Sequence, residues 1–301
     1  MTLRAWSSSR FTIDLPPGHR FPIAKYAAIR EKVIARGILP SEAILEPDRV
    51  ERWALALVHT PEYLDKIYHG GLSAAEERRL GFPWSEQLRE RSLRTVQATI
   101  EASCDALQAG AGITLAGGTH HAFPDHAEGF CVFNDVAVAI RVLQREGKVE
   151  RALVVDLDVH QGNGTARIFD GDPDVYTYSM HGRKNYPFHK EASTLDVELE
   201  DGCDDVTYLG LLERHLEPAL HASRPDIVFY LAGSDPFKED RFGRLGLSRD
   251  GLSRRDGMVV TACRSRKLPL VLAMSGGYAS SLDDIATIHS ESVRIVVEGH
   301  G

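Results

Sequence analysis

Four short, nearly continuous apolar runs, at residues 112–116, 152–155, 227–231 and 268–273, govern what this 301-residue chain can fold into. Each is too short for a core helix, is rich in Val, Ile and Leu, and gives way at once to a glycine-rich or polar turn. A strand covered on one face alternates apolar with polar residues. A run that stays apolar throughout is covered on both faces, as in a parallel sheet. Between the runs lie helical segments, at 135–145, with Asn134 as N-cap and Gly147 as terminator, and at 248–267. Strand and helix in alternation predict an α/β fold with right-handed crossovers. The first 110 residues read as mainly helical, around 24–36, 61–68 and 85–109, with no linker to set them apart, so residues 1–301 read as a single domain.

In an open parallel sheet, ligands bind in the crevice outside the carboxyl ends of the strands. The four runs end there in Thr119-His120-His121, Asp156-Leu157-Asp158-Val159-His160, Ser234-Asp235 and Gly276-Gly277-Tyr278. Asp156, Asp158 and His160 share one side if the backbone stays extended, because side chains alternate along a strand. Asp158 and His160 then offer an oxygen and a nitrogen, and Asp235 adds a second oxygen from a neighbouring strand end. Three such ligands leave a position open for water, which is the pattern of a catalytic rather than a structural zinc. Ferrous iron suits the same set. The plainer alternative, acidic residues that merely terminate strands, explains any one segment; the conjunction of four strand ends favours a site.

Taken alone, His120 and His121 could be a solvated turn and Tyr278 a partly buried aromatic. Beside a metal, an imidazole can take a proton from water and give it to a leaving amine near neutral pH. A phenol hydroxyl can stabilise the oxyanion that forms on the carbonyl. Gly276 and Gly277 permit close backbone approach or positive φ.

The formal net charge of -8 argues against nucleic-acid binding, which normally rests on a basic face. A mildly acidic surface would instead tolerate a basic substrate such as a lysine-rich peptide or a polyamine. Cys104, Cys131, Cys203 and Cys263 form no CxxC pair, so reduced thiols are expected rather than a disulfide framework. The N-terminal residues lack a signal-like apolar stretch, and no run of about 18 apolar residues occurs, so a soluble, cytoplasmic protein with no membrane association is expected.

Five segments in order, GGTHHA (117–122), EGFCVFND (128–135), DLDVHQGNGT (156–165), AGSD (232–235) and SGGY (275–278), resemble the histone deacetylase and acetylpolyamine amidohydrolase superfamily. HRFPIAKY (19–26) and HTPEYL (59–64) extend the likeness to residues 19–300. The resemblance implies the arginase/deacetylase fold, a single open parallel eight-stranded sheet flanked by helices. It implies a zinc-dependent hydrolase acting on linear amides, with Asp158, His160 and Asp235 as metal ligands, His120 and His121 as the histidine pair and Tyr278 as the catalytic tyrosine. Asp156 matches the carboxylate that orients His120, and Asn163 stands where the partner of His121 belongs. The same likeness implies a structural K+ among Asp156, Asp158, His160, Ser179 and Met180, and a second at Phe169, Asp172 and Val175. Gly129, Phe130, Tyr186 and Gly277 match the acyl-lysine channel.

Many eukaryotic members carry Asp at position 163, and the chain lacks the long insertion of acetylpolyamine amidohydrolases, so it looks more like class IV and bacterial members. The expected substrate is an acyl-lysine protein or peptide, removal being of acetyl or longer groups. The alternatives are a small acylated amine such as an acetylated polyamine, or a catalytically silent acyl-lysine binder. A binuclear arginase-like site would need further bridging ligands, and Ser-Asp-Pro at 234–236 does not offer them. Oligomeric state is left open.

Overall fold

Eight strands, all parallel, make one sheet in the computed structural model, which describes residues 3–300. They are β1 (Ala5–Trp6), β2 (Ile44–Leu45), β3 (Ala111–Thr114), β4 (Ala152–Asp156), β5 (Val175–Gly182), β6 (Leu195–Leu199), β7 (Ile227–Leu231) and β8 (Leu270–Ala273). Their order across the sheet is β2-β1-β3-β8-β7-β4-β5-β6. The sheet and its flanking helices match the architecture that the resemblance implies. Every residue of β3, β4, β7 and β8 is buried, as their apolar continuity requires, whereas edge strand β6 alternates exposed and buried positions.

Alternation divides the central strands between two apolar layers. Leu153, Val155, Val228, Tyr230, Leu270 and Leu272 face one layer, packed by helices Lys25–Ala35, Asp205–Ser223, Arg249–Ser265 and Leu282–Gly299. Val154, Phe229, Leu231 and Val271 face the other, under helices Pro61–His69, Glu86–Ala109 and Asp135–Arg145. Local chemistry sets the helix ends. Ser85, Asn134 and Ser248 accept hydrogen bonds from the backbone N–H of Leu88, Ala137 and Gly251, satisfying donors that the first turn leaves free. Helix Arg249–Ser265 therefore begins one residue after the expected 248 and ends two before 267.

The N-terminal segment is less purely helical than expected. β1 and β2, two residues each, extend the sheet on one edge, and runs that short give no periodic signal in the sequence. The expected strand at 112–116 instead spans Ala111–Thr114, because residues 115–116 already lead into the loop that carries the histidine pair, and that at 268–273 starts only at Leu270, because the Leu268 N–H still bonds the Cys263 carbonyl at the end of the preceding helix.

The consequence for the site lies in the strand order: β3, β8, β7 and β4, whose ends bear the chemistry, are four neighbours at the sheet centre. Phe229, 1 % exposed in the middle of β7, plugs the layer beneath them. Phe229→Ala should lower stability by about 3–5 kcal/mol through lost burial and the cavity left behind. Urea unfolding followed by fluorescence would reveal this, and a loss below ~1 kcal/mol would contradict such a role for the layer.

Candidate metal and catalytic centre

β4 ends at Asp156, and the chain then bends through Leu157–His160 rather than remaining extended, so alternation along a strand does not carry these three side chains to one side. The bend separates their tasks. Asp156 Oδ2 meets His120 Nδ1 at 2.7 Å, while Asp158 and His160 turn toward Asp235 at the end of β7. Asp158, His160 and Asp235 are buried, with one potential ligand atom from each lying within 4.8 Å of the others.

Dense hydrogen bonding fixes Asp158. Its Oδ1 accepts from the His160 N–H at 2.9 Å, and its Oδ2 from Ser275 Oγ at 2.7 Å and the Gly276 N–H at 2.6 Å. Asp235 Oδ1 accepts from the Val159 N–H at 2.9 Å. Asp235 Oδ2 has no hydrogen-bond partner although wholly buried; it lies 3.2 Å from His160 Nδ1 but without hydrogen-bond geometry. A β-carbon on residue 276 would stand 1.9 Å from that oxygen and 2.6 Å from Asp158 Oδ2, so only glycine lets the loop close over both carboxylates.

Burial and the Asp158 charge push the Asp235 carboxyl up to about 7. Burial opposes the charge on His160 as well, but Asp158 and Asp235 outweigh it and raise that imidazole to about 10. Two carboxylates and an imidazole so enclosed cannot all take their preferred metal-free charge states without cost. A divalent cation would relieve both the repulsion and the orphaned oxygen, and the O, N, O donor set suits zinc or ferrous iron.

The histidine pair, ring centroids 4.2 Å apart, is differentiated by its partners. Burial alone would depress His120, yet the Asp156 and Asp158 carboxylates hold its imidazolium up at about 9. Burial, followed by the His120 and His160 charges, drives His121 well below the usual imidazole value. His121 Nδ1 meets Asn163 Oδ1 at 2.7 Å, and Asn163 Nδ2 donates to Glu128 Oε1 at 2.9 Å. A carboxylate can only accept, so Glu128 fixes which way the Asn163 amide faces; Nδ1–H of His121 is then the donor, and its Nε2 keeps the lone pair.

Above these residues lies a pocket of about 660 Å³ lined by His121, Gly129, Phe130, His160, Tyr186 and Tyr278, among others. Tyr186 stands edge-on to His121, centroids 5.1 Å apart, and its hydroxyl donates to Glu128 Oε1 at 2.6 Å. Gly129 and Phe130 form a turn with φ of 54° and 68°. Gly277 does not line this pocket: its Cα side faces Ser234 and His289, and its carbonyl accepts from buried Lys25 Nζ at 3.4 Å. The Tyr278 phenol is held well above its usual value by burial and then by Asp158 and Asp235, so it stays protonated.

The residues expected to hold potassium fall in two places. Asp156 and Ser179 are register partners on β4 and β5, beside Asp158, His160 and Met180. Phe169, Asp172 and Val175 sit at the entry to β5, where the Asp172 carboxylate is already paired with Arg141 at 2.7 Å, so any ion there would take backbone carbonyls.

Four residues near the site escape a reading of the sequence. Glu128 adjoins the channel glycine in EGFCVFND but carries no signal of its own. Asp240 Oδ2 accepts from the Tyr278 N–H at 2.6 Å, and Lys25 reaches the Ser275 carbonyl at 3.3 Å from helix Lys25–Ala35. Arg255, fully buried, donates to the carbonyls of Leu157 at 3.3 Å and Gly233 at 2.7 Å, tying together the two loops that bear Asp158 and Asp235. Each acts across a long sequence separation, which no local pattern records. The mouth also departs from the acidic surface suggested by net charge: among the described residues, cationic side chains line it and no carboxylate does.

A family model described as "Histone deacetylase domain" matches residues 19–294. An uncharacterized protein of Picosynechococcus sp. is 41 % identical over 280 residues, spanning 93 % of each chain. Histone deacetylase 2 of Arabidopsis thaliana is 31 % identical over 87 % of this chain and 70 % of its own. The acetoin utilization protein AcuC of Staphylococcus aureus (strain MSSA476) is 29 % identical over 78 % of this chain and 66 % of its own. Among solved structures, the HD domain of HDA15 superposes with a TM-score of 0.83 at 23 % identity, covering 99 % of this chain and 88 % of that one. An HDAC homolog complexed with SAHA gives 0.84 at 20 % identity, covering 99 % and 84 %.

Proposed function

The chain belongs to the histone deacetylase family, and from that premise we propose that it is a metal-dependent deacylase, one catalytic domain over residues 1–301, that cleaves the amide between an acyl group and the ε-amine of lysine in a protein or peptide. The observation that carries this reading is the buried Asp158-His160-Asp235 cluster beneath a pocket that also presents His121 and Tyr278. Asp158, His160 and Asp235 would hold the ion; zinc, or ferrous iron, supplies when bound a Lewis acid that polarises the acyl carbonyl and activates water.

His121 Nε2, neutral and unprotonated, accepts the proton of the attacking water and delivers it to the leaving nitrogen as the C–N bond breaks, giving a carboxylate and a free amine. Asn163, oriented by Glu128, holds the His121 tautomer that makes this possible. His120 remains an imidazolium on Asp156 and stabilises the negative charge that builds beside it. The Tyr278 hydroxyl donates to the acyl oxygen as that oxygen becomes anionic, an interaction stronger in the transition state than in the ground state. Phe130 and Tyr186 supply apolar walls for a lysine stem, with Gly129 leaving it room. Potassium at the Asp156–Ser179 end of β4 and β5, and at Phe169, Asp172 and Val175, would brace the loops; this is part of the same proposal.

Tyr278→Phe should lower kcat on an acyl-lysine peptide by roughly 10²–10³ with little change in KM, the scale expected for one lost oxyanion donor. An unchanged kcat would remove Tyr278 from the chemistry.

Asn163→Asp places a charge on His121 Nδ1 and raises its pKa. The base must be deprotonated to act, so the acidic limb of kcat/KM should move to higher pH. His121→Ala should also cost more activity than His120→Ala. An unmoved acidic limb, together with a harsher effect at His120, would reverse the two roles.

A further inference from the structure

Among the described residues, six cations, Arg20, Arg78, Arg79, Lys184, Arg241 and Arg244, line the mouth of the catalytic pocket, and no carboxylate lines it. This is unexpected on a chain of net charge -8, with 43 acidic residues against 35 Lys and Arg. Much of the positive charge is uncompensated. Lys184 and Arg244 share Asp201, at 3.7 and 3.4 Å, whereas Arg20, Arg78, Arg79 and Arg241 form no ion pair among the described residues. Arg20 and Arg241 are held in place by other means: Arg20 lies 5.5 and 5.7 Å from the Phe130 and Phe242 rings, and Arg241 donates to the Tyr278 carbonyl at 2.8 Å. Their charges are thereby presented at the rim.

These cations come from four separate stretches of chain, around residues 20, 78–79, 184 and 241–244, so the positive field is spread over the mouth rather than gathered at one point. Phe188, 81 % exposed and adjoining Tyr186, adds an apolar contact at the same mouth. A single small carboxylate could engage one of these groups but would leave the others unused. An extended segment whose acidic side chains flank the residue inserted into the pocket can engage several. A polycationic amine would meet like charge on every approach.

We propose that the substrate is an acyl-lysine set in an acidic stretch of polypeptide, with Asp or Glu within a few residues on either side, and that the cationic mouth selects against acylated polyamines and lysine-rich tails. This inference rests on the deacylase reading for its chemistry, but the recognition surface can be tested apart from it. The surface attraction should be screened by salt, because the rim is solvent-exposed.

The experiment compares three acetyl-lysine peptides of equal length, flanked by Asp and Glu, by Ser and Gly, or by Lys and Arg, together with a monoacetylated polyamine. Binding to the purified full chain is read by fluorescence anisotropy at low and high salt, and turnover by release of the free amine. The acidic peptide should bind roughly tenfold more tightly than the neutral one, a scale that several exposed ion pairs can supply. The basic peptide and the polyamine should bind more weakly still, and the differences should shrink at high salt. Turnover should follow the same ranking through KM, with kcat nearly constant.

The double variant Arg78→Glu/Arg79→Glu alters rim side chains outside the catalytic cluster. In a chain still folded by circular dichroism it should abolish or reverse the preference for acidic flanks, read as the ratio of the Kd values for the acidic and neutral peptides; an unchanged ratio would contradict the proposal. Equal binding of the three peptides, or tighter binding of the basic peptide or the polyamine, would overturn the proposal. If no substrate is turned over but the acidic peptide is still preferred, the hydrolase reading fails and the recognition surface stands. If the neutral peptide is turned over with no flank preference, the reverse holds.

Discussion

Two carboxylates and an imidazole are forced together at the carboxyl ends of the central strands, and the rest of the structure is arranged around that constraint. Burying such groups is costly unless each oxygen and nitrogen finds a partner. Asp158 obtains its partners from the Ser275–Gly276 loop and from His160, and Asp235 from the Val159 N–H. Arg255 braces the same loops from below through the carbonyls of Leu157 and Gly233, and is itself paired with buried Asp256 at 2.8 Å. One acceptor, Asp235 Oδ2, is left over, and it is the atom a cation would claim.

Strand order makes the arrangement possible. Because β3, β8, β7 and β4 are adjacent, the loops after them reach one another without long excursions, and each contributes one part of the chemistry. Rigid apolar strands, buried on both faces, hold the bases of those loops, while the loops themselves carry the polar groups. The two histidines differ because of what stands behind them: a carboxylate behind His120, and a neutral amide, itself aligned by Glu128, behind His121. Adjacent residues of one type thereby acquire opposite proton affinities.

The central strands were legible in the sequence because burial on both faces leaves a continuous apolar run, and the ligand residues because they follow those runs directly. Strand alternation does not gather Asp156, Asp158 and His160, since β4 stops at Asp156 and the bend after it assigns Asp156 to His120 instead. β1 and β2 were too short to show a period. Glu128, Asp240, Lys25 and Arg255 act on segments distant in sequence, and such pairings exist only once the chain is folded. Net charge misled for a related reason: it sums over the whole surface, whereas a substrate meets the local field at the mouth, which has the opposite sign.

The central claim is that the Asp158-His160-Asp235 cluster is built to hold one catalytic divalent ion. Metal-stripped protein, equilibrated with Zn2+ or, without oxygen, with Fe2+ and then freed of unbound metal, should retain about one ion per chain by elemental analysis. Asp235→Asn, nearly isosteric and still folded by circular dichroism, should retain far less. A wild-type chain that keeps no ion, one that keeps two ions which both depend on Asp235, or an Asp235→Asn chain that binds as well as wild type would contradict the account.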